Sequence, residues 1–292
     1  MIDLDALAPD QPVLIAGPTA SGKSALALEI AAAQGGIIVN ADALQVYENW
    51  RVLSARPSED DEAQAPHALY GHVGKRDDYS VGHWLRDVSK FLDGEQRPII
   101  VGGTGLYFSA LTEGLAEIPA TPTELREAAN ARVAVEGFEA LRAELDEETL
   151  RRIDQQNPMR VQRAWEVMTA TGKPIWHWQD QTPPPLLPLE NCAAFVMDAD
   201  KEWLNERIAR RFNLMLELGA MEEAKANLAD WNPDLPSSKA IGAPELIAYL
   251  KGETSLEDAR ALATISTRQY AKRQRTWFRS RMKTWQKISL PA

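Results

Sequence analysis

Cysteines and long apolar runs are scarce in this chain, and each scarcity excludes a class of protein. The single cysteine, Cys192, has no partner for an internal disulfide and no second thiol for a metal site, so we predict a buried apolar role for it. No run approaches the roughly 18–20 apolar residues of a membrane span. The acidic start, residues 1–5, lacks the basic region of a signal peptide. We therefore expect a cytoplasmic protein with no membrane partner.

Histidines are also few, and their spacing argues against a helical metal site. Two histidines that bind one metal ion from a helix usually stand four residues apart, as in His-Glu-x-x-His. None of the four in this chain has that spacing: His67, His72, His83 and His177.

Acidic residues are absent from the last 34 positions, residues 259–292, which we call the basic tail. The net charge of −10 disfavours nucleic-acid binding for the chain as a whole. The tail holds nine cations: Arg260, Arg268, Lys272, Arg273, Arg275, Arg279, Arg281, Lys283 and Lys287. The other 23 of the 32 cations share the rest of the chain with all 42 acids. An acidic body with one basic segment favours contact with phosphates through that segment.

Aromatic residues accompany these cations. Their spacings of seven and eight predict one shared helix face, which favours core packing over stacking on RNA bases. They are Tyr270, Trp277, Phe278 and Trp285.

A glycine-bounded loop between an apolar run and a helical pattern is the strongest single signal. Gly, four residues, Gly, Lys and Ser is typical of phosphate-binding loops, in which backbone N–H groups and a helix N-terminus point at one anion. We expect Lys23 to contact the terminal phosphates and the Ser24 hydroxyl to bind Mg²⁺. A nucleoside triphosphate such as ATP is the default ligand. The predicted loop residues are Gly17, Pro18, Thr19, Ala20, Ser21, Gly22, Lys23 and Ser24.

Four short, almost wholly apolar runs predict strands that are buried on both faces, as in a parallel sheet flanked by helices. They occupy residues 12–16, 36–40, 98–101 and 193–197. Helical patterns are found at residues 24–33, 81–92 and 201–218. This alternation predicts an α/β fold of the P-loop NTPase-like kind, with ligands at the carboxyl ends of the strands.

Strand-like runs disappear between residues 121 and 178. Thr121 and Pro122 have the pattern of an N-cap followed by a first-turn proline, while Asn157 starts a helix that ends at Gly172. We predict an inserted all-helical domain; the alternative is that these helices simply cover the sheet. The predicted domains are a catalytic core with a C-terminal basic helix at 1–118 and 183–292, and the insertion at 119–182.

Two further segments follow predicted strands and would share the edge of the phosphate loop. Asp42 follows the second strand, where a carboxylate suits a general base, a ligand to a magnesium-bound water, or the N-cap of a next helix. Thr104 lies in the glycine-rich turn Gly102-Gly103-Thr104-Gly105, where its hydroxyl and nearby N–H groups could bind an anion. The apolar strand before Gly102 ends without the acidic residue of common P-loop ATPases, which argues against ATP hydrolysis.

At these residues the chain resembles the bacterial tRNA dimethylallyltransferases, also called tRNA isopentenyltransferases. The resemblance covers nearly the whole length. Besides the phosphate loop, the matching segments are Asp42-Ala43-Leu44-Gln45-Val46-Tyr47, Ala65-Pro66-His67, Tyr79-Ser80, the turn from Gly102 to Tyr107, Asn157-Pro158, Arg160, Arg163-Ala164, Arg211-Phe212 and, in the basic tail, Thr267 to Gln274 with Thr276-Trp277.

The resemblance implies transfer of a dimethylallyl group from dimethylallyl diphosphate to N6 of adenosine 37, in the anticodon stem-loop of tRNAs that read codons beginning with U. It implies that Asp42 is the general base and that Thr104 and Arg211 complete the catalytic set. Lys23, the loop N–H groups and a Mg²⁺ ion on Ser24 would stabilise the leaving diphosphate.

The tRNA contacts come partly from the resemblance and partly from the basic tail. The residues predicted to contact tRNA are Asp42, Ala43, Leu44, Gln45, Thr104, Arg126, Met159, Arg160, Val161, Gln162, Arg163, Lys239, Ala240, Ile241, Gly242, Arg273 and Arg275. We expect a monomer.

Three other functions share parts of this pattern. An isopentenyltransferase for free adenosine nucleotides would share the loop and Asp42 without needing the basic tail. A small-molecule kinase would bind ATP in the loop. A non-catalytic RNA-binding protein would use the tail and would not depend on Asp42.

Overall fold

The computed structural model describes residues 7–291, so the acidic start at residues 1–5 lies outside the described part. Between residues 7 and 291 six strands form one sheet. They are β1 (Val13–Ala16), β2 (Ile37–Asn40), β3 (His67–Ala68), β4 (Pro98–Gly102), β5 (Ala193–Ala199) and β6 (Gln286–Leu290). Their order across the sheet is β3-β2-β4-β1-β5-β6, and every neighbouring pair is parallel. The predicted parallel α/β sheet is therefore confirmed.

Helices connect each strand to the next one along the chain. They are α1 (Lys23–Gln34), α2 (Glu59–Gln64), α3 (Val81–Leu92), α4 (Gly105–Glu113), α5 (Thr123–Glu136), α6 (Phe138–Arg142), α7 (Glu147–Arg152), α8 (Pro158–Thr171), α9 (Ile175–Gln179), α10 (Lys201–Glu217), α11 (Ala220–Leu228), α12 (Ala243–Leu250) and α13 (Leu256–Arg281). Helices α10 to α13 all lie between β5 and β6. The predicted helices at 24–33, 81–92 and 201–218 correspond to α1, α3 and α10.

The central strand β1 shows why the apolar runs are continuous. Leu14 and Ala16 pack on one face of the sheet with side chains of α3 and α4. Val13 and Ile15 point to the other face and pack with side chains of α1. Because both faces are covered, all four positions are fully buried and none is available for a polar residue.

The two edge strands, β3 and β6, have no strand-like pattern in the sequence and are not predicted. The first has only two residues, His67 and Ala68, which is too short for any periodic signal. The second, Gln286–Leu290, mixes polar and apolar residues and is largely exposed, as is common for an edge strand. It includes Lys287, so the basic tail continues past its helix into the sheet.

The contacts divide the chain into two compact units. We call Met1–Thr112 with Leu186–Ala292 the core unit, and Glu113–Pro185 the helical unit. The predicted insertion at 119–182 falls inside the helical unit, which contains α5 to α9 and has its own apolar cluster around Leu141, Val161 and Val167. Its helices pack on one another, so they need no sheet to bury their apolar faces.

Capping explains the bounds of α8. The Asn157 side chain accepts hydrogen bonds from the N–H groups of Met159 and Arg160, and the helix ends at Gly172 with φ of 68°. Both ends are as predicted. The start of α5 differs by one residue, because Pro122 is its N-cap and the first helical residue is Thr123.

The basic tail consists of most of α13, a turn and β6. Phe278 and Trp285 are buried in the cluster that lines one face of the sheet, and this confirms their predicted packing role. The helix ends at Arg281, so Trp285 lies in the turn beyond it, and the prediction of one helix face for all four aromatics is wrong at this residue. Cys192 is buried, as predicted. No helix within residues 7–291 is both long and apolar enough to cross a membrane.

Candidate active site

The phosphate loop lies between β1 and α1. Gly22 is the N-cap of α1 and has a φ of 93°, a left-handed conformation that side chains disfavour. The helix begins at Lys23, so its first N–H groups and its partial positive charge are directed back at the loop. Ser24 is the second residue of the helix and is exposed.

Lys23 is a cation in a site that disfavours charge. It is only 9% exposed, and its Nζ lies 3.5 Å from the Pro18 carbonyl oxygen, to which it donates. Burial lowers its pKa from 10.5 to about 8, while the Asp42 carboxylate acts in the opposite direction and the Arg211 guanidinium adds to the lowering. A buried, poorly compensated cation of this kind is typical of an anion-binding site.

Asp42 lies just beyond the carboxyl end of β2 and is 8% exposed. The chain after it continues in turns and α2 begins only at Glu59, so the N-cap interpretation is wrong. Its Oδ1 accepts a hydrogen bond from the Leu44 N–H at 3.0 Å, and its own N–H donates to Asn40 Oδ1 at 2.8 Å. The carboxylate is thus held at the end of the strand by bonds to its neighbours.

Thr104 connects the glycine-rich turn to this segment. Its Oγ1 accepts from the Ala43 N–H at 2.9 Å, and its own N–H donates to the Ala41 carbonyl oxygen at 3.1 Å. The two bonds flank Asp42 on either side. Thr104 therefore holds the backbone that carries the carboxylate, a contact that no sequence pattern reveals.

One pocket in the core unit brings several of the predicted residues together. It encloses about 630 Å³, counted out to its open mouth. Its lining residues are Thr19, Lys23, Asp42, Leu44, Gln45, Leu53, Ser54, Ile208, Arg211, Phe212, Met215, Ile241, Thr267 and Tyr270. Two cations and a carboxylate thus line the pocket together with apolar side chains, which suits a ligand with an anionic end and an apolar end.

Arg211 reaches the pocket from α10. Burial lowers the pKa of its guanidinium, and the Asp42 carboxylate acts in the opposite direction. On the same helix, Arg207 donates from Nε to the Ala20 carbonyl oxygen of the phosphate loop at 2.8 Å. Helix α10 therefore supports the loop as well as supplying a cation.

Comparison with known proteins gives the family. The IPP transferase model matches residues 45–281, and the isopentenyl transferase model matches residues 11–70. The chain belongs to the IPP transferase family. A relative in Ruegeria sp. (strain TM1040) named tRNA dimethylallyltransferase is 61% identical over 99% of both chains. The resemblance noted in the sequence is thus confirmed over the full length.

Two solved structures place this IPP transferase family member among proteins of the same fold. The tRNA isopentenylpyrophosphate transferase of Bacillus halodurans is 29% identical, with a TM-score of 0.67 over 96% of this chain and 90% of that chain. A eukaryotic dimethylallyltransferase acting on tRNA has a TM-score of 0.78 over 95% of this chain and 73% of that chain. At 23% identity, this second likeness concerns the fold alone.

In this family member, the helical unit holds five adjacent predicted contacts at the start of α8. Met159 and Arg160 are exposed, as is Arg126 on α5. Val161 is fully buried, so, contrary to the prediction, its side chain offers no surface to an RNA.

The other two members of this group already have protein partners. Gln162 donates to Asn130 and Glu166, and Arg163 donates to Thr121. They are held in place by these bonds, while Arg126, Met159 and Arg160 present exposed surface.

The remaining predicted tRNA contacts lie in the core unit and differ in exposure. Lys239 and Arg273 are exposed, and Ile241 lines the pocket. Ala240 and Gly242 are buried, so they offer little surface to a ligand. Gly242 has a packing role, since a Cβ at this position would lie 2.8 Å from Cε2 of the pocket residue Phe212.

Proposed function

We propose that this protein transfers a dimethylallyl group from dimethylallyl diphosphate to N6 of adenosine 37 in tRNA. The observation that carries the proposal is the pocket, which is lined by Lys23, Asp42 and Arg211 together with apolar side chains. Family membership and the full-length relatives named tRNA dimethylallyltransferase support it. A cytoplasmic location and a monomeric state are part of the proposal.

The diphosphate end of the donor binds at the phosphate loop. The N-terminal N–H groups of α1, the Lys23 ammonium and the Arg211 guanidinium provide positive charge around it. The prenyl chain then lies against the apolar lining residues Leu53, Phe212 and Met215. Since Lys23 is buried and Arg211 is half-buried, their attraction to an anion is stronger than at a surface.

The reaction is a substitution at the first carbon of the prenyl group. The N6 amine forms a bond to that carbon, the carbon–oxygen bond to diphosphate breaks, and its electron pair leaves on the diphosphate oxygen. The N6 proton passes to the Asp42 carboxylate. Lys23 and Arg211 stabilise the charge that builds up on the leaving group. Because the allyl group delocalises positive charge, no covalent enzyme intermediate is required.

Magnesium is the proposed cofactor. Among residues 7–291 no group of three or more His, Cys, Asp or Glu side chains could hold a metal ion. The residues present suit Mg²⁺ that is bound by the Ser24 hydroxyl together with diphosphate oxygens, since this ion commonly takes few protein ligands and several from a phosphate. When bound, it supplies further positive charge to the leaving diphosphate.

The acceptor adenosine must leave its stack in the anticodon loop to reach the donor. We propose that the exposed cations Arg126, Arg160, Lys239 and Arg273 contact the RNA backbone, because neutralising phosphates is the largest contribution to affinity for RNA. We propose that Leu44, Gln45 and Ile241, which line the pocket, contact the flipped base.

The direct test is a product assay. Unmodified tRNA is incubated with the protein, Mg²⁺ and dimethylallyl diphosphate, and the nucleosides are analysed by mass spectrometry. We expect dimethylallyl-adenosine from tRNA and none from AMP. A matched tRNA with guanosine at position 37 has no N6 amine and should stay unmodified. Absence of product on every tRNA overturns the proposal, while product on AMP alone identifies a free-nucleotide enzyme.

A further inference from the structure

Helix α13 places one buried amide between the two loops of the site. Gln274 is only 5% exposed, although it belongs to the basic tail. Its Oε1 accepts a hydrogen bond from the Thr19 N–H in the phosphate loop, at 2.9 Å. Its Nε2 donates to the Gly103 carbonyl oxygen in the glycine-rich turn, also at 2.9 Å. A single side chain therefore bonds to both loops.

The glycine at position 103 is necessary for this contact. A Cβ on Gly103 would lie 2.1 Å from Gln274 Nε2, which is closer than any two such atoms can approach, and 3.1 Å from Asp42 Oδ2. The amide of Gln274 and the carboxylate of Asp42 thus approach the same glycine. One turn further along α13, the Trp277 ring similarly occupies the space where a Cβ on Gly105 would lie, with Cδ1 at 2.1 Å.

Each of the two bonded loops supports a group that takes part in the proposed reaction. Thr19 lies in the phosphate loop, next to Pro18. The Pro18 carbonyl oxygen accepts a hydrogen bond from Lys23 Nζ. Gly103 precedes Thr104, which holds the Ala43 N–H beside Asp42. Gln274 therefore lies one contact away from the diphosphate site and one contact away from the base.

Another residue that α13 contributes is Tyr270, one turn before Gln274. Burial and the Asp42 charge raise the pKa of its hydroxyl, and hydrogen bonds with Thr104 and Gln274 act in the opposite direction. Tyr270 also lines the pocket. The glycine-rich turn is thus held from α13 by two side chains on one helix face.

We propose that Gln274 is a positioning residue that holds the phosphate loop and the Asp42 segment in the arrangement that binds diphosphate. A glutamine is suited to this place because it has one acceptor and one donor at its tip, matching an N–H on one side and a carbonyl on the other. A glutamate would repel the Gly103 carbonyl and Asp42, and a methionine would fill the space without bonding. The ligand assignment rests on the proposed function.

The test compares Gln274→Met with Gln269→Met, which makes the same change at an exposed position of the same helix. Inorganic pyrophosphate is titrated into each folded variant in the presence of Mg²⁺ by calorimetry. We expect Gln274→Met to bind about tenfold more weakly, the effect of losing one or two buried hydrogen bonds to a site. Gln269→Met should bind as the parent does. Parent-like affinity in Gln274→Met overturns the proposal.

Steady-state kinetics separates positioning from a loss of folded protein. If Gln274 positions the loop, KM for dimethylallyl diphosphate rises in Gln274→Met while KM for tRNA is unchanged. A merely structural role reduces the fraction of active protein, so kcat falls with both KM values unchanged, and this result contradicts the proposal. Absence of prenyl transfer in the parent protein overturns the proposed function alone, since the pyrophosphate titration needs no turnover.

A second variant approaches the same contact from the other side. Gly103→Ala puts a methyl group where the amide of Gln274 lies, and Gly103 does not have the positive φ that would strain an alanine. We expect it to weaken pyrophosphate binding as Gln274→Met does. Since both changes break one contact, the double variant should lose little more than either single variant. Full additivity contradicts the proposal, and Gly103→Ala alone decides it where Gln274→Met fails to fold.

Discussion

The pocket of the core unit and the surface of the helical unit hold charged side chains in different ways. In the core unit Lys23 and Asp42 are buried together at one pocket, and the pKa of the lysine is lowered as a result. In the helical unit Arg132 and Arg152 form ion pairs at the surface, where each arginine side chain is about a third exposed and has two carboxylate partners.

The difference indicates which charges are retained for function. Surface pairs of this kind contribute about 0–1 kcal/mol each to stability, so they are easily exchanged. A buried cation that gains too little from its partners destabilises the folded protein, and such a residue is found mainly where a ligand provides the missing charge. We therefore expect changes in the core unit to affect chemistry and changes in the helical unit to affect stability or tRNA affinity.

The largest expected effect is at Asp42. Asp42→Asn keeps the Oδ1 acceptor for the Leu44 N–H but cannot take the N6 proton. We expect the single-turnover rate of prenyl transfer to fall about 10³-fold, which is within the usual range for loss of a general base. Quenched single-turnover assays measure this rate.

The control for this variant is Asp60→Asn, which removes one exposed carboxylate from α2. It should transfer prenyl groups at the parent rate. Pyrophosphate affinity should survive in both variants, since neither removes a cation. A near-parent rate in Asp42→Asn would show that the buried carboxylate is not the general base and has another role.

The next effect concerns the helical unit. Val161→Ala removes two methyl-sized groups from a fully buried side chain in the cluster of that unit. We expect the free energy of unfolding to fall by about 2 kcal/mol. Met159→Ala is the matched control, because this neighbour is 75% exposed and should change stability little. Urea unfolding provides both values.

Val161→Ala also tests whether the two units are functionally separate. We expect its pyrophosphate affinity to equal that of the parent, since the pocket residues all belong to the core unit. Loss of pyrophosphate affinity together with stability would show that the pocket depends on the helical unit.

Much of the fold could be predicted from the sequence because the interior of the sheet has a strong local signature. Residues in β1 and β4 are buried on both faces, so only apolar side chains fit and the runs stand out. The edge strands β3 and β6 lack this constraint, and β6 forms through pairing with β5, which is nearly a hundred residues earlier. Such long-range pairing leaves no local pattern.

The candidate site likewise has a part that the sequence predicts and a part that it does not. The phosphate loop is recognisable because its backbone conformation requires particular residues at fixed spacing, as Gly22 illustrates. The contacts of Gln274 with Thr19 and Gly103 span 255 and 171 residues. No spacing rule could reveal them, although the motif around Gln274 was visible. The exposure of Met159 and the burial of Val161 likewise depend on how α8 packs in its own unit.

A smaller effect should appear when the pH is changed around Lys23. The lysine has a pKa of about 8, so its ammonium is charged below that pH and largely neutral above it. Binding an anion favours the charged form, so the affinity for dimethylallyl diphosphate falls as the pH rises. Between pH 7 and pH 9 we expect about a tenfold loss, measured by calorimetry. The donor contributes little to this change, because the last ionisation of a phosphate ester lies near pH 6.

Lys23→Arg is the control for the pH experiment. A guanidinium keeps its charge throughout this range, so the affinity of the variant should not vary between pH 7 and pH 9. Heat measured in buffers of different ionisation enthalpy should also reveal proton uptake by the parent at pH 9. A flat profile in the parent would mean that Lys23 is already fully charged in the free protein.

The smallest expected effect concerns the basic tail, which lies in the core unit and exposes all of its cations except the half-buried Arg275. Replacing both Arg273 and Arg275 by Ala should weaken tRNA binding several-fold. It should also reduce the slope of log Kd against log salt by about 1 for each phosphate that the variant no longer neutralises. Lys201 and Lys225, exposed on α10 and α11, provide a control pair that removes the same charge elsewhere.

The salt dependence decides between a direct contact and an indirect one. The Arg273 guanidinium lies 5.7 Å from the centre of the Tyr270 ring, so its removal could also disturb a pocket residue. Pyrophosphate titration detects such a disturbance, and we expect unchanged affinity. Weaker tRNA binding with an unaltered salt slope would therefore mean that the tail supports the pocket without touching phosphates. A reduced slope with intact pyrophosphate binding would place the exposed cations of the core unit with the RNA and the buried ones with the diphosphate.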